Sequence, residues 1–303
     1  MVHLVKQGAF AAVLAAVALA AACSDDDRWE GGGDSDADGD TDTDTDADSD
    51  GDTEDDSCRL VDVVITVDVS SSMMEELAAL RDDVFPAFAA QLGEISQGLD
   101  NFRIGTLDAC PNPANFHTRG NGGECGFSSG EPWIDSESPD MDAEFSCVGD
   151  IYIADGLCTG ANDDEQPVTA MLTGLNPPWS ENQNAGFLRD DALLVVIAMT
   201  DEDEQPTVGD AFTADEIFQA VAALKGGDPK KAVFLGVGGG VAGCEGLYGY
   251  VDMAATKLKE ITDLFIAEER GVWWDLCAGQ PLEDGLDAAF AIIDQACDEF
   301  VIE

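Results

Sequence analysis

Asp68, Ser70 and Ser72 stand at alternate positions directly after an almost unbroken β-branched run, Val61, Val63, Val64, Ile65, Thr66 and Val67. One carboxylate and two hydroxyls are hard oxygen donors, the set that suits Mg²⁺, Mn²⁺ or Ca²⁺. Neutral hydroxyls also leave such an ion electron-poor enough to attract another carboxylate. Thr200 and Asp201 follow a second apolar run, residues 192–199, and lead into Glu202, Asp203 and Glu204. An acidic cluster after a strand is commonly only a solvated loop, and Ser72-Met73-Met74-Glu75 also fits a helix capping box. A buried strand followed by Asp at both places favours a joint cation site over either reading alone.

The elements that position these residues must be strands. Runs apolar on both faces are what central strands of a parallel sheet require, and in open α/β sheets ligands bind beyond the strands' carboxyl ends. Leu77, Leu80, Val84, Phe88 and Leu92 recur at helical spacing, and Pro86 predicts a kink or early end there. Residues 102–107 read as a second strand and 232–237 as a third buried one. Pro167 suits the first turn of a helix with Val168, Met171, Leu172 and Leu175 inward. Thr213 and Glu216 form a capping box for a helix through Leu224. Leu258, Ile261, Leu264 and Phe265 mark another helix, residues 271–276 a last strand, and Leu286, Phe290, Ile293 and Cys297 a closing helix. Alternate facing in that strand should bury one of Trp273 and Trp274 and leave the other half exposed. This alternation over residues 58–303 predicts a doubly wound α/β domain with a largely parallel sheet, Rossmann-like in layout.

Asp68-x-Ser70-x-Ser72 after such a strand resembles the metal-ion-dependent adhesion site of von Willebrand factor type A domains. The resemblance implies that the Asp and two Ser hold a divalent cation, usually Mg²⁺, completed by an acidic group of a partner protein. Thr200-Asp201 resembles the third loop of that site, so Asp201 would meet the ion directly or through water. The family places a Thr just before the helix that Pro167 opens; here the nearest upstream threonine is Thr159 and Glu165 takes the place. Glu165 is therefore a candidate fifth ligand, and it would make the site more anionic, favouring Ca²⁺ or Mn²⁺. Residues 186–189 and the acidic run from Asp201 to Glu204 are similar to exported bacterial members of the superfamily. The resemblance covers residues 58–303 apart from one insertion.

The chain has 303 residues and a net charge of −50, which argues against nucleic acid and for cations or basic surfaces. Residues 1–22 read as an export signal: His3 and Lys6, then an apolar run over residues 9–22 too short to span a membrane. Ala20-Ala21-Ala22-Cys23 resembles a bacterial lipobox, which would make Cys23 the lipidated N-terminus of a protein held in the bacterial cell envelope. Leu19 is one place earlier than the commonest lipobox has it, so ordinary cleavage stays open. Residues 23–57 carry Asp at every second position from Asp34 to Asp52 and nothing to build a core, which predicts a solvated tether. Asp46, Asp48, Asp50 and Gly51 copy the first half of a calcium loop, but Thr53 and Ser57 stand where an EF-hand needs an apolar residue and Glu.

Setting Cys23 aside leaves Cys58, Cys110, Cys125, Cys147, Cys158, Cys244, Cys277 and Cys297, an even number in an exported chain. Eight cysteines allow roughly a hundred pairings. The arrangement expected has Cys58 with Cys297 clipping the domain ends, the four from Cys110 to Cys158 stapling one insertion, and Cys244 with Cys277. Zinc is disfavoured: no C-x-x-C occurs, and His117 is the one histidine left after export. Residues 109–165 lack periodicity and predict an insertion held by disulfides rather than by a core. Within it Gly126-Phe127-Ser128-Ser129-Gly130 matches a nucleophile elbow but has no strand before it, helix after it or later histidine. Residues 238–243 satisfy G-x-G-x-x-G without a helix following, which predicts a tight turn and no dinucleotide cradle.

The function expected is that of a surface-tethered lipoprotein whose cation site binds another protein or an acidic polymer, without catalysis. Two rivals are a structural envelope protein with a vestigial metal site and a secreted metal-dependent hydrolase, which lacks an evident general base.

Overall fold

The computed structural model describes residues 60–95, 101–151, 165–205, 212–251 and 253–300. The expected export signal, Cys23, the Asp-rich segment, Cys58 and Cys158 lie outside the described residues. In chain order the elements are β1 (Leu60–Val67), α1 (Met74–Ala79), a π-helical turn (Leu80–Val84), α2 (Phe85–Ile95) and β2 (Asn101–Asp108). Then come β3 (Arg119–Gly120), β4 (Gly123–Glu124), β5 (Ile134–Asp135), α3 (Met141–Gly149), α4 (Pro167–Gly174) and β6 (Leu193–Met199). The remainder is α5 (Ala214–Ala223), β7 (Ala232–Gly238), β8 (Cys244–Glu245), β9 (Tyr250–Val251), α6 (Thr256–Ala267), β10 (Gly271–Asp275) and α7 (Glu283–Asp298).

Six strands form one sheet in the order β10-β7-β6-β1-β2-β5. All neighbours are parallel except β5, which runs antiparallel to β2. The most β-branched strand, β1, lies in the middle. Its last residue, Val67, is level with Met199 of β6 and Asp108 of β2, and Met199 is level with Val237 of β7. The loops after these four strands therefore leave one edge of the sheet side by side.

Each face of the sheet carries its own apolar layer. Val61, Val63, Ile65 and Val67 pack with Leu80, Val84, Phe88, Phe290 and Ile293 on one side. Val64, Leu194 and Val196 pack with Val168, Met171, Ile217, Leu258 and Phe265 on the other. Helices thus cover both faces, and fully burying a side chain such as Phe88 or Phe265 contributes about 2–3 kcal/mol. The second face of β1 is less apolar than its sequence suggests, for Asp62 and Thr66 are both buried there. Each is satisfied, Asp62 by Arg189 and Thr66 by donating to the Ile197 carbonyl at 3.2 Å.

Several expectations need correction. The insertion is not held by disulfides alone. It supplies β5 as the sheet's sixth strand and sends Ile134, Phe145 and Val148 into one apolar layer and Phe116 and Trp133 into the other. Those residues are too irregularly spaced to show as a periodic pattern. Pro86 does not end its helix: the π-helical turn just before it widens the ladder, and the missing proline N–H falls where the bonding register is already changing. Trp273 and Trp274 are both half-buried, because β10 is an edge strand and neither of its faces is fully covered.

Disulfides join Cys125 to Cys147, inside the insertion, and Cys244 to Cys277, as expected. Cys110 and Cys297 are disulfide-bonded as well. Gly238 to Gly243 form a turn that leads into the β8–β9 hairpin, and no helix follows until Thr256. Among the described residues no helix is long and apolar enough to cross a membrane.

Candidate functional site

The backbone carries the sheet one residue past two strand ends. Asp68 N–H donates to the Met199 carbonyl at 2.9 Å, and Thr200 N–H donates to the Val237 carbonyl at 3.1 Å. These bonds hold the first residues of both loops in line with the strands. Asp68 is fully buried. Its Oδ1 accepts from Ser70 N–H at 2.7 Å and its Oδ2 from Thr200 Oγ1 at 2.8 Å. Ser70 Oγ and Ser72 Oγ are 2.8 Å apart, and Ser72 Oγ donates to Asp201 Oδ1 at 3.2 Å. A hydroxyl has one proton, so if Ser72 gives its proton to Asp201 it accepts from Ser70. Asp68, Ser70, Ser72 and Asp201 are thus joined in one network, with Thr200 binding its two halves together.

Ser72 is not a helix cap. The residue before α1 is Met73, no side chain caps that helix, and the Ser72 hydroxyl is committed to Ser70 and Asp201. Met73 is buried and anchors the loop in the core, while Met74 beside it is exposed.

Burial pushes the Asp68 carboxyl up to about 7, against the bonds from Ser70 and Thr200, and the nearby Asp201 charge adds to the rise. Burial raises Glu76 as well, with the charges of Asp201 and Glu75 adding to it. The site is therefore one where negative charge is crowded and poorly hydrated, the condition that a cation relieves. Its donors are carboxylates and hydroxyls, all hard oxygens that fit Mg²⁺, Mn²⁺ or Ca²⁺. Among the described residues no three side chains of His, Cys, Asp or Glu form a metal-binding group. An ion here would depend on Ser70 and Ser72 as well as on acids.

Glu165 is buried at the same edge of the sheet. Its carbonyl accepts from Gln205 N–H at 2.8 Å, and the next residue, Gln166, donates its N–H to the Ala109 carbonyl at 2.8 Å. The hydrogen bonds joining Asp68, Ser70, Ser72, Thr200 and Asp201 form without it.

The acids after Asp201 are not a solvated run. Asp203 accepts from Lys257 N–H at 2.9 Å and Leu258 N–H at 3.1 Å, in the first turn of α6. Glu204 is buried and accepts from Val168 N–H at 2.8 Å and Thr169 N–H at 2.9 Å, in the first turn of α4. Two carboxylates in one loop thus meet the exposed amides and positive dipole ends of two helices. Sequence reading missed both, since capping from a distant loop leaves no local pattern. The one available signal was that α4 opens with Pro167 and has no capping side chain at Gln166.

The other motifs have structural partners. Ser128 N–H donates to Glu144 Oε1 at 2.8 Å and Ser128 Oγ to the same oxygen, within a turn. His117 Nε2 lies 3.1 Å from Asp108 Oδ2, whose other oxygen accepts from Cys110 N–H at 2.9 Å. Phe187 packs against Phe116 and Trp133, and Gly186 and Phe187 both accept from Arg103.

No family model matches the sequence, and no curated protein matches it. Solved structures similar to it include two crystal structures of proximal thread matrix protein 1 from the mussel byssus. One is 13% identical, covering 78% of this chain and 49% of that chain; the other is 11% identical, covering 80% and 47%; both have a TM-score of 0.41. Another is the pilus adhesin SpaC from Lactobacillus rhamnosus GG in its open conformation, 14% identical with a TM-score of 0.39, covering 78% of this chain and 30% of that chain. The chain spans about half the length of the byssus protein and under a third of the adhesin. Likeness at this level bears on neither chemistry nor partners.

Proposed function

We propose that this chain binds one divalent cation with Asp68, Ser70, Ser72 and Asp201, and through it an acidic group of a partner protein or polymer. The observation that carries the reading is the Ser72 Oγ to Asp201 Oδ1 contact at 3.2 Å, which brings the two strand-end loops together as the resemblance to the adhesion site requires. The buried Asp68, with its carboxyl raised to about 7, supports it: burial and the neighbouring Asp201 charge disfavour the ionised form despite its two hydrogen bonds, and a cation would relieve that penalty. The ion would act as a Lewis acid toward the partner's carboxylate. The protein's part is to hold the donors in place: Thr200 orients Asp68, Ser72 orients Asp201, and Met73 seats the loop. Glu165 is the candidate for a further ligand. The N-terminal sequence supports an exported protein lipidated at Cys23, with the Asp-rich segment as a spacer from the bacterial envelope.

Thermal unfolding of the chain with and without Mn²⁺ tests this. Mn²⁺ should raise the melting temperature, a chelator should reverse the rise, and Asp68→Ala should abolish it. Equal melting temperatures with and without the ion would remove the site from consideration and favour a purely structural role.

A further inference from the structure

The large hydrophobic side chains that the fold leaves in water are not scattered. Among the described residues seven are exposed, and four of them, Val241, Leu247, Tyr250 and Met253, belong to the segment that carries the β8–β9 hairpin. A fifth, Met74, opens α1. The hairpin meets that helix, for a Cβ built on Gly249 would stand 3.3 Å from Glu76 Oε1. Single exposed apolar residues need no explanation, but a concentration of them on one edge marks an interaction surface.

The hairpin is firmly seated, so its exposed side chains are presented by a fixed backbone. Cys244 is bonded to Cys277 in the turn after β10, and Tyr248 Oη accepts from Leu282 N–H at 2.9 Å. Gly246 N–H closes the tip on the Gly249 carbonyl at 2.7 Å, and Ala255 N–H donates to the Gly239 carbonyl at 2.9 Å at the base. Val251, opposite Cys244, is buried; Tyr250, opposite Glu245, therefore faces out. A surface that is already ordered loses little entropy on binding.

Charge selects the occupant. Residues 68–80, 201–205 and 239–253 contain acids and no Lys or Arg, with Arg81 and Lys257 standing outside them. At a net charge of −50, a second copy, a polyanion or an anionic membrane is repelled. We propose that the hairpin and Met74 form a docking surface for a protein segment that brings aliphatic or aromatic side chains to Leu247 and Tyr250 and Lys or Arg to the acids around them. The inference goes beyond the cation reading and does not rest on it. One partner can use both surfaces, with a carboxylate at the ion and apolar and basic groups at the hairpin.

The test is selection of displayed random twelve-residue peptides on the full chain, in chelator so that the cation site plays no part, with counter-selection on Leu247→Ser/Tyr250→Ser. Peptides that answer to the Asp-rich segment bind both proteins and are discarded. The survivors should join Leu, Ile, Phe or Trp to Lys or Arg. A synthetic survivor should bind the double variant about thirtyfold more weakly than the native chain, the loss typical of an aromatic anchor. Ile266→Ser, an exposed apolar residue at the far end of α6, should leave its affinity unchanged. Equal melting temperatures of the native chain and the double variant exclude misfolding; if that variant does not fold, Leu247→Ser alone takes its place. No survivors, or survivors rich in Asp and Glu, overturn the inference. So does self-association in sedimentation, or binding to phosphatidylcholine vesicles, that the variant abolishes, since the surface then belongs to a second copy or to lipid.

Discussion

Thr200 Oγ1 donates to Asp68 Oδ2 at 2.8 Å, joining the ends of two neighbouring strands through side chains 132 positions apart in sequence. The same oxygen accepts from Glu202 N–H at 3.0 Å, so one hydroxyl fixes both the buried acid and the turn after β6. Thr200→Val keeps the shape and removes both bonds. It should destabilise the fold by about 1–3 kcal/mol by leaving buried groups unsatisfied. Cation affinity should fall by about 10–100-fold because Asp68 is no longer oriented. Urea unfolding and Mn²⁺ titration of the variant check the two effects separately.

Stability should depend on pH through Glu204 and Asp68. Burial lifts both to about 7, against ordinary values of 4.5 and 3.8. A folded-state value above the unfolded one means that the folded chain holds the proton longer as pH rises. Their contribution is complete below the unfolded values and is lost progressively up to about pH 7. Without divalent ions, the urea midpoint should therefore fall between about pH 5 and pH 7.5, and fall less in Glu204→Gln. Saturating Mn²⁺ should reduce the fall further, since bound ion favours ionised Asp68. A midpoint that rises equally in both proteins over this range would contradict the assignment.

At the opposite end of β1, Asp62 accepts from Arg189 Nε at 2.8 Å and Arg189 N–H at 2.7 Å, while the guanidinium also donates to Asn101 Oδ1 at 2.7 Å and the Val61 carbonyl at 3.0 Å. Arg189→Leu would strand a fully buried carboxylate. The expected loss is about 3–5 kcal/mol, since breaking one side of a buried pair leaves the other uncompensated. Mn²⁺ affinity of the folded variant should not change, because the pair sits at the far edge of the sheet. A chemical-denaturation curve and one titration decide both points.

How much of this was legible in the sequence follows from where each signal lies. β1, β6 and β7 are written in runs of Val, Ile and Leu, and a run of that kind has few alternatives to a buried strand. Asp68-x-Ser70-x-Ser72 and Thr200-Asp201 could each be read locally, and only parallel pairing of β1 with β6 makes them neighbours. Ser72 carried a capping-box signature that its hydroxyl does not honour, because Ser70 and Asp201 offer it partners that the spacing alone does not reveal. Asp203 and Glu204 cap two helices through the amides of Lys257 and Val168, 54 and 36 positions away in sequence, so no local window contains both members of either contact. Phe145, Val148 and Trp133 were hidden for a different reason: their segment is disulfide-bonded and aperiodic, and its contribution to the core appears only once β5 has docked on β2.

The central claim is that Asp68, Ser70, Ser72 and Asp201 hold one divalent cation. Calorimetric titration of Mn²⁺ into the native chain and into Asp68→Ala tests it most directly, because any ion uptake by the Asp-rich N-terminal segment is common to both and cancels in the difference. One saturable site present in the native chain and absent from a folded Asp68→Ala is the predicted result. Superimposable titrations would contradict the claim and leave the network as a structural clasp between two strands.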